Sequence, residues 1–163
     1  MTGDLLLRDV MEDDLPIFFE QQLDPDANYM AAFTARNPAD RDAFTSHWNT
    51  ILGDDTTTNK TILFAGQVVG HIASFKRLGK PEVSYWIGKE YWGKGLATRA
   101  LSEFLSRVKE RPVYARAAKD NTASIRVLEK CGFRISGEDK GFSRARGKEV
   151  EEVILELRGE ERD

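Results

Sequence analysis

The residues from Glu82 to Leu101, EVSYWIGKEYWGKGLATRAL, constrain the fold of this chain more than any other stretch. Val83 to Ile87 has the composition of a strand, and a corner containing Gly93 and Gly95 follows it. The residues after the corner repeat apolar side chains at helical spacing. These side chains are Leu96, Ala97, Ala100, Leu101, Phe104, Leu105 and Val108. The segment therefore predicts a strand, a tight turn and an amphipathic helix in direct succession.

The corner between this strand and this helix is suited to an anion. Gly93 and Gly95 remove side chains where another molecule could approach the backbone. The first amides of the predicted helix, from about Gly95 to Thr98, have no carbonyl partner inside the helix. They also lie at the positive end of the helix dipole. We expect the backbone of this corner to hold a phosphate or pyrophosphate group.

Two common phosphate-binding patterns do not fit the corner. A Walker loop needs four residues between its first glycine and its Gly-Lys-Ser/Thr, and a dinucleotide fingerprint needs a glycine where Thr98 stands. The run Trp92-Gly93-Lys94-Gly95-Leu96-Ala97 instead resembles motif A of the GCN5-related N-acetyltransferases (GNAT), Gln/Arg-x-x-Gly-x-Gly/Ala. Trp92 replaces the usual Gln or Arg, as in the RimJ/RimL-like branch. An ordinary strand-to-helix turn is the alternative that this motif alone leaves open.

A second stretch, residues 121–133, reads NTASIRVLEKCGF and matches motif B of the same family in its RimJ/RimL-like form. The matching residues are Asn121, Ser124, Leu128, Gly132 and Phe133. The physical interpretation agrees, because asparagine caps helix starts and glycine ends helices. With motifs A and B in this order and a strand between them, the chain is identified as a member of the GNAT family.

The resemblance and the residue pattern together predict one α/β domain over residues 1–163, with a charged, frayed tail at 159–163. We expect a mixed, mostly antiparallel sheet of about seven strands with about four helices. The motif A strand and the strand after its helix are expected to splay apart. The predicted strands are 5–9, 60–64, 68–75, 83–87, 113–118, 133–139 and 150–157. A first helix is predicted to begin after Asp13 or Asp14 and to stop at Asp24-Pro25-Asp26. An irregular segment is predicted at 27–38, and a second helix over about 39–52.

The resemblance implies that acetyl-CoA binds as co-substrate in the gap between the splayed strands. The pantetheine arm would pair with the backbone of the motif A strand, and the pyrophosphate would contact the corner. Lys94 would add charge, or would be an ordinary solvated lysine. Asn121 would bind the pantetheine amides. The implied binding residues are Tyr85, Trp86, Ile87, Trp92, Gly93, Lys94, Gly95, Leu96, Ala97, Thr98, Asn121 and Ser124.

The implied reaction is direct attack of a primary amine on the acetyl carbonyl. An aliphatic amine has a pKa of roughly 10, so a base must remove a proton. Glu82 is the first candidate for this base, and His71 or water are alternatives. The usual family acid is a tyrosine in the slot that Leu128 occupies here, and Ser124 is the substitute that the branch suggests. Cys131 is expected to be a small buried side chain rather than a nucleophile.

The acceptor is less constrained. In this family the acceptor groove is built by the early helices and the last hairpin, here about 27–52 and 137–148. Asp24, Asp26, Glu82 and Tyr29 could attract a cationic amine. The branch favours a protein N-terminal α-amine, while amino acids, polyamines and aminoglycosides are alternatives. A catalytically weak acyl-CoA-binding or sensor module is the competing function, because Leu128 removes the usual tyrosine.

Composition limits the other functions. The net charge of −3 argues against a general hold on nucleic acid, so the basic hairpin loop with Lys140, Arg144, Arg146 and Lys148 is expected to be solvated. A contact of that loop with a CoA phosphate or an acidic substrate is the alternative. We expect no membrane span and no signal peptide. His47 and His71 stand alone, so no metal is expected. The single cysteine fits a cytoplasmic protein, which we expect to be a monomer or homodimer.

Overall fold

A computed structural model of the chain describes residues 3–159, which form one seven-stranded sheet with helices on both faces. The predicted fold class is confirmed. No helix within the described range is long and apolar enough to cross a membrane. The helices are α1 (Leu15–Gln22), α2 (Pro25–Ala31), α3 (Arg41–Leu52), α4 (Leu96–Arg107) and α5 (Thr122–Lys130), and short 3-10 helices lie at Glu12–Asp14 and Lys89–Tyr91. The strands are β1 (Leu5–Asp9), β2 (Thr58–Phe64), β3 (Gln67–Arg77), β4 (Lys80–Ile87), β5 (Val113–Ala118), β6 (Arg134–Ser143) and β7 (Lys148–Leu157).

The sheet has the order β1-β2-β3-β4-β5-β7-β6, and its strands are antiparallel except for the central pair β4 and β5. These two parallel strands are in register at a single pair, Glu82 with Tyr114. Beyond that pair the last residues of β4 pair with β3 and not with β5: Ile72 faces Tyr85 and Gly70 faces Ile87. The predicted splaying of the central strands is therefore confirmed.

The helix α4 packs its apolar stripe on one face of the sheet. Leu96, Ala100, Leu101, Phe104 and Leu105 are all buried there, as the helical spacing predicts. The opposite face carries α1 and α3, whose aromatic cluster joins Phe18, Phe19, Phe44 and Trp48. The two helical layers thus cover the sheet on both faces.

Two local predictions are wrong. Asp24-Pro25-Asp26 does not simply end a helix, because it starts α2: the Asp24 carboxylate accepts from the Ala27 N–H at 2.8 Å, and Pro25 takes the first helical position. Residues 3–159 therefore contain five α-helices, one more than the approximate number predicted. In addition, β6 continues to Ser143 rather than ending at Asp139, since Gly141 pairs with Val150. Most of the predicted frayed tail, 160–163, lies outside the described residues.

Asp14 has a role that the sequence did not indicate. Its carboxylate makes a two-point contact with the Arg8 guanidinium at 2.7 and 2.9 Å, and accepts from the Met11 N–H at 2.8 Å and from Thr61 Oγ1 at 2.6 Å. Burial raises the pKa of Asp14, but the hydrogen bonds from Arg8, Thr61 and Met11 outweigh it, so the pKa lies below its ordinary value. The carboxylate thus joins β1, β2 and the start of α1.

We expect Asp14→Ala to destabilise the protein by about 2 kcal/mol, because the Arg8 charge and two donors lose their partner. Asp13→Ala is the matched control; its side chain is exposed, so its effect should stay within about 0.5 kcal/mol. Since the pKa of Asp14 is lowered on folding, its contribution is present above the unfolded pKa and is lost as pH falls through the folded one. Urea unfolding at neutral and acidic pH measures both effects, and equal midpoints for the two variants would contradict them.

Candidate active site

The glycine corner after β4 has the open backbone that the sequence predicts. Gly93 and Gly95 have φ angles of +79° and +75°, a left-handed conformation that favours glycine. A Cβ atom added at either residue would meet nothing within 4 Å. Residues 92–95 are exposed to solvent. The corner therefore offers bare backbone to any molecule that lies against it.

The start of α4 leaves amides free to bind an anion. Gly95 is the N-cap residue, and no side chain caps the helix. The first backbone bond of the helix runs from the Arg99 N–H to the Gly95 carbonyl at 3.2 Å. The amides of Leu96, Ala97 and Thr98 therefore have no partner inside the helix. Their positive helix end faces the open corner, which fits a pyrophosphate.

Trp92 connects this corner to the end of β4. Its indole Nε1–H donates to the Ile87 carbonyl at 2.8 Å, and its ring remains partly exposed. The Ile87 carbonyl, which was predicted to face the pantetheine arm, thus already has one donor. Trp86 presents a buried indole Nε1 that has no partner among the described residues. Lys94 is exposed, and its Nζ lies 5.9 Å from the Tyr91 ring centroid.

Glu82 lies where β4 and β5 begin to separate. Its side chain is 10% exposed, with Oε1 3.5 Å from Arg116 Nε and 4.0 Å from Arg77 Nε. Burial raises the pKa of Glu82, and the cations of Arg77 and Arg116 oppose that rise without cancelling it. Arg116 also binds Glu152 at 2.7 Å and Asp139 at 3.0 Å. A buried carboxylate with a raised pKa at this point of the sheet has the properties of a general base.

The motif B residues form a short network at the start of α5. The side-chain Oδ1 of Asn121 accepts a hydrogen bond from the Ser124 N–H at 3.2 Å, as the predicted helix cap requires. The Asn121 amide also donates to the Met30 carbonyl at 3.3 Å, which fixes its orientation against α2. The Ser124 Oγ atom lies 2.9 Å from the Tyr85 hydroxyl. Leu128 is 2% exposed and belongs to the core, so it fills the usual tyrosine slot by packing alone.

His71 and Cys131 take structural positions. The imidazole of His71 packs between the rings of Phe18 and Trp48, at centroid distances of 4.6 and 5.0 Å. Burial, helped by His47, lowers the pKa of His71 to about 4, so the ring is neutral, and the residue as a whole is half-buried. Burial also raises the pKa of the Cys131 thiol, whose Sγ lies 3.7 Å from the Thr98 carbonyl. Within residues 3–159, no three carboxylates, imidazoles or thiols are grouped as metal ligands.

The helix α2 and the last hairpin are joined to each other. Arg146 Nε donates to the Tyr29 carbonyl at 2.8 Å, and its guanidinium lies over the Tyr29 ring at 4.3 Å. Arg146 also binds Asp120 through two contacts, at 2.7 and 2.9 Å. Ser143 Oγ donates to the Ala32 carbonyl at 2.5 Å. The prediction that Arg146 is a solvated loop residue is wrong, because its side chain is 3% exposed.

The surface between α2 and the hairpin has an aromatic rim. Tyr29, Phe33 and Phe142 all expose large parts of their rings. The acidic residues suggested for an amine are partly used elsewhere, since Asp24 caps α2 and Asp26 pairs with Lys89. Ser84, on the same central strand as Glu82, is exposed. Of the suggested carboxylates, Glu82 is thus the one on a central strand beside the gap.

Comparison with known proteins agrees with these features. A family profile described as an acetyltransferase (GNAT) domain matches residues 4–134. YdaF of Bacillus subtilis, named as a candidate ribosomal N-acetyltransferase, is 31% identical over 117 residues, which cover 64% of this chain and 63% of YdaF. The chain aligns with between 47% and 63% of the length of the curated relatives it matches.

Solved structures with the same fold include a spermidine N-acetyltransferase from Vibrio cholerae in complex with CoA and spermine. That structure has a TM-score of 0.82 and 17% identity, covering 94% of this chain and 95% of its own. RimJ of Mycobacterium smegmatis in complex with CoA-disulfide has a TM-score of 0.79 and 22% identity, covering 95% of this chain and 82% of its own.

Proposed function

Because this chain belongs to the GNAT acetyltransferase family, we propose that it transfers the acetyl group of acetyl-CoA to a primary amine by direct attack. One observation carries the proposal: the unpartnered amides of the glycine corner lie directly after the strand that separates from β5. A pyrophosphate bound at the corner and a pantetheine arm laid along β4 would be held by one continuous backbone surface.

Binding of acetyl-CoA would be mainly a backbone interaction. The N–H groups of 93–98 would donate to the pyrophosphate oxygens, and Lys94 would add one positive charge. The backbone of Tyr85 and Trp86, beyond the single β4–β5 register pair, would orient the pantetheine arm. Asn121 keeps one amide hydrogen for the same arm. Because these groups lie on rigid elements, positioning of the thioester should supply much of the rate.

The amine would lose its proton to Glu82, directly or through one water molecule. Burial makes the Glu82 carboxylate a stronger base than an exposed glutamate, while Arg77 and Arg116 favour its charged form. His71 is the weaker candidate, since its ring packs against Phe18 and Trp48 and its pKa is lowered to about 4. We therefore assign the base to Glu82 and the hydrogen bond to the leaving sulfur to Ser124.

As acceptor we favour a protein N-terminal α-amine over a polyamine. A polycation would need several free carboxylates, but Asp24 and Asp26 are engaged with the α2 backbone and with Lys89. The aromatic rim of Tyr29, Phe33 and Phe142 instead suits the side chains of a peptide. We expect the reaction to occur in the cytoplasm, in a protein that is a monomer or a homodimer.

The test is incubation of the protein with acetyl-CoA and a panel of acceptors, followed by thiol release and mass spectrometry. The panel contains N-terminal peptides, the same peptides with a blocked α-amine, spermidine and an aminoglycoside. We expect one acetyl group on the free α-amine and a kcat/KM at least about tenfold higher for peptides than for spermidine, which is about 1.4 kcal/mol of discrimination. A preference for spermidine would contradict the acceptor but not the chemistry.

The same assay separates this function from an acyl-CoA sensor. Leu128, buried in the core, supplies no hydroxyl at the usual acid position and is the observation that favours a weak catalyst. Tight coenzyme A binding with no turnover across the whole panel would support the sensor. Measurable turnover with any amine would exclude it.

A further inference from the structure

We propose that Tyr85 positions Ser124 for catalysis: its hydroxyl donates a hydrogen bond to Ser124 Oγ, which leaves the Ser124 hydrogen to point at the departing sulfur. The inference rests on the proposed acetyl transfer and adds a residue to it. The two oxygens are 2.9 Å apart. Tyr85 comes from the central strand β4, so it is not on the helix where the family places its tyrosine.

The location of the contact supports this role. Tyr85 lies three residues beyond Glu82, in the part of β4 that has separated from β5. Ser124 lies in the first turn of α5, the helix that follows β5. The hydrogen bond therefore joins the two sides of the gap in which the thioester would lie. The Ser124 N–H donates to the Asn121 side chain at 3.2 Å, which fixes the backbone that carries this serine at the start of α5.

The direction of the hydrogen bond follows from acidity. A phenol is a far stronger acid than an alkyl alcohol, so Tyr85 is the better donor and Ser124 Oγ the better acceptor. Burial raises the pKa of Tyr85, and a contribution from Cys131 adds to it, while the bond to Ser124 lowers it. The net pKa is above its ordinary value, so the phenol keeps its proton throughout. With Tyr85 as donor, the one hydrogen of Ser124 is directed elsewhere.

The reaction balances without proton loss from either hydroxyl. A bond forms between the amine nitrogen and the acetyl carbon, and the bond between that carbon and sulfur breaks, leaving the electron pair on sulfur. The amine proton passes to Glu82 and then to water, and the thiolate takes a proton from water. A thiol has a pKa of roughly 8.5, so a hydrogen bond from Ser124 is enough to stabilise the developing thiolate.

The test is a double-mutant cycle with Tyr85→Phe, Ser124→Ala and the double variant. We expect each single change to lower kcat about tenfold with the KM for acetyl-CoA within about twofold, and the double variant to be no slower than Ser124→Ala. Tyr91→Phe is the matched control, because it removes a hydroxyl that binds Gln67 Oε1 at 3.2 Å in the same region; its kcat should stay within about twofold of wild type. Melting temperatures measured in parallel check that all variants fold.

The outcomes are distinct. A Tyr85→Phe variant with wild-type kcat would overturn the positioning role, as would kcat losses that simply multiply in the double variant. A rise in the KM for acetyl-CoA with kcat unchanged would also overturn it, since Tyr85 would then only shape the binding surface. A wild-type protein without turnover on any amine would overturn the proposed function and this inference together, whereas an active wild type beside an unaffected Tyr85→Phe overturns the inference alone.

Discussion

Gly95→Glu is expected to abolish binding of coenzyme A while the chain remains folded. The new side chain would occupy the open space where a Cβ atom meets nothing within 4 Å. Its carboxylate would also stand beside the amides of Leu96, Ala97 and Thr98 and compete with the pyrophosphate for them. Loss of two charge-assisted hydrogen bonds, at roughly 1.5–3 kcal/mol each, weakens binding by at least about a hundredfold. Isothermal titration with coenzyme A measures the change.

Gly79→Glu provides the matched control for this prediction. Gly79 has a φ of +79°, close to that of Gly95, and a Cβ atom added there also meets nothing within 4 Å. Both variants therefore carry the same left-handed strain, about 1 kcal/mol, and the same added charge. Gly79 lies in the β3–β4 turn, at the other end of the strand from the corner. Unchanged coenzyme A affinity in a folded Gly95→Glu protein, or an equal loss in both variants, would rule out the corner as the pyrophosphate site.

The corner could be predicted from sequence because its properties are local. The glycines, the helix start and the strand before them are contiguous, and short-range geometry decides where the free amides lie. The same is true of Asn121, whose capping bond to Ser124 spans three residues. Even there the prediction was incomplete, because the second bond of Asn121 goes to Met30 on α2. A contact across 91 residues leaves no periodic signal in one sequence.

The acceptor side could not be predicted for the same reason. Arg146 was one of several cations in a polar loop, and nothing near it in sequence identifies Asp120 and Tyr29 as its partners. The helix α2 was missed because Asp-Pro-Asp serves equally as a stop and as a start; the choice depends on what Asn28 and Ala32 contact. Glu82 was found by its place before motif A, but its surroundings of Arg77, Arg116 and Glu152 come from three other strands.

Glu82→Gln is expected to lower kcat roughly a hundredfold while the affinity for coenzyme A changes little, because the amide keeps the shape but cannot take a proton. In the wild type the rate should fall at low pH as Glu82 becomes protonated. Since burial raises the pKa of Glu82 despite Arg77 and Arg116, this fall should begin at a higher pH than an exposed glutamate would give. The Glu82→Gln variant should lack this fall in rate at low pH, which is the acidic limb of the pH–rate profile. Steady-state rates from about pH 5 to about pH 9 test all three points.

The Glu152→Gln variant tests whether Glu82 acts as the base or is only one member of the charged cluster. Glu152 binds the same Arg116 at 2.7 Å and is similarly buried, so its replacement removes the same charge from the same cluster. Its negative charge contributes to the raised pKa of Glu82, so this variant should keep most of its rate while the acidic limb moves to lower pH. Suppose instead that kcat falls equally in the two variants and the acidic limb of the pH–rate profile does not move. The charged cluster would then only hold β4, β5 and β7 together. In that case water would be the base, and the carboxylate at the point of strand separation would be structural.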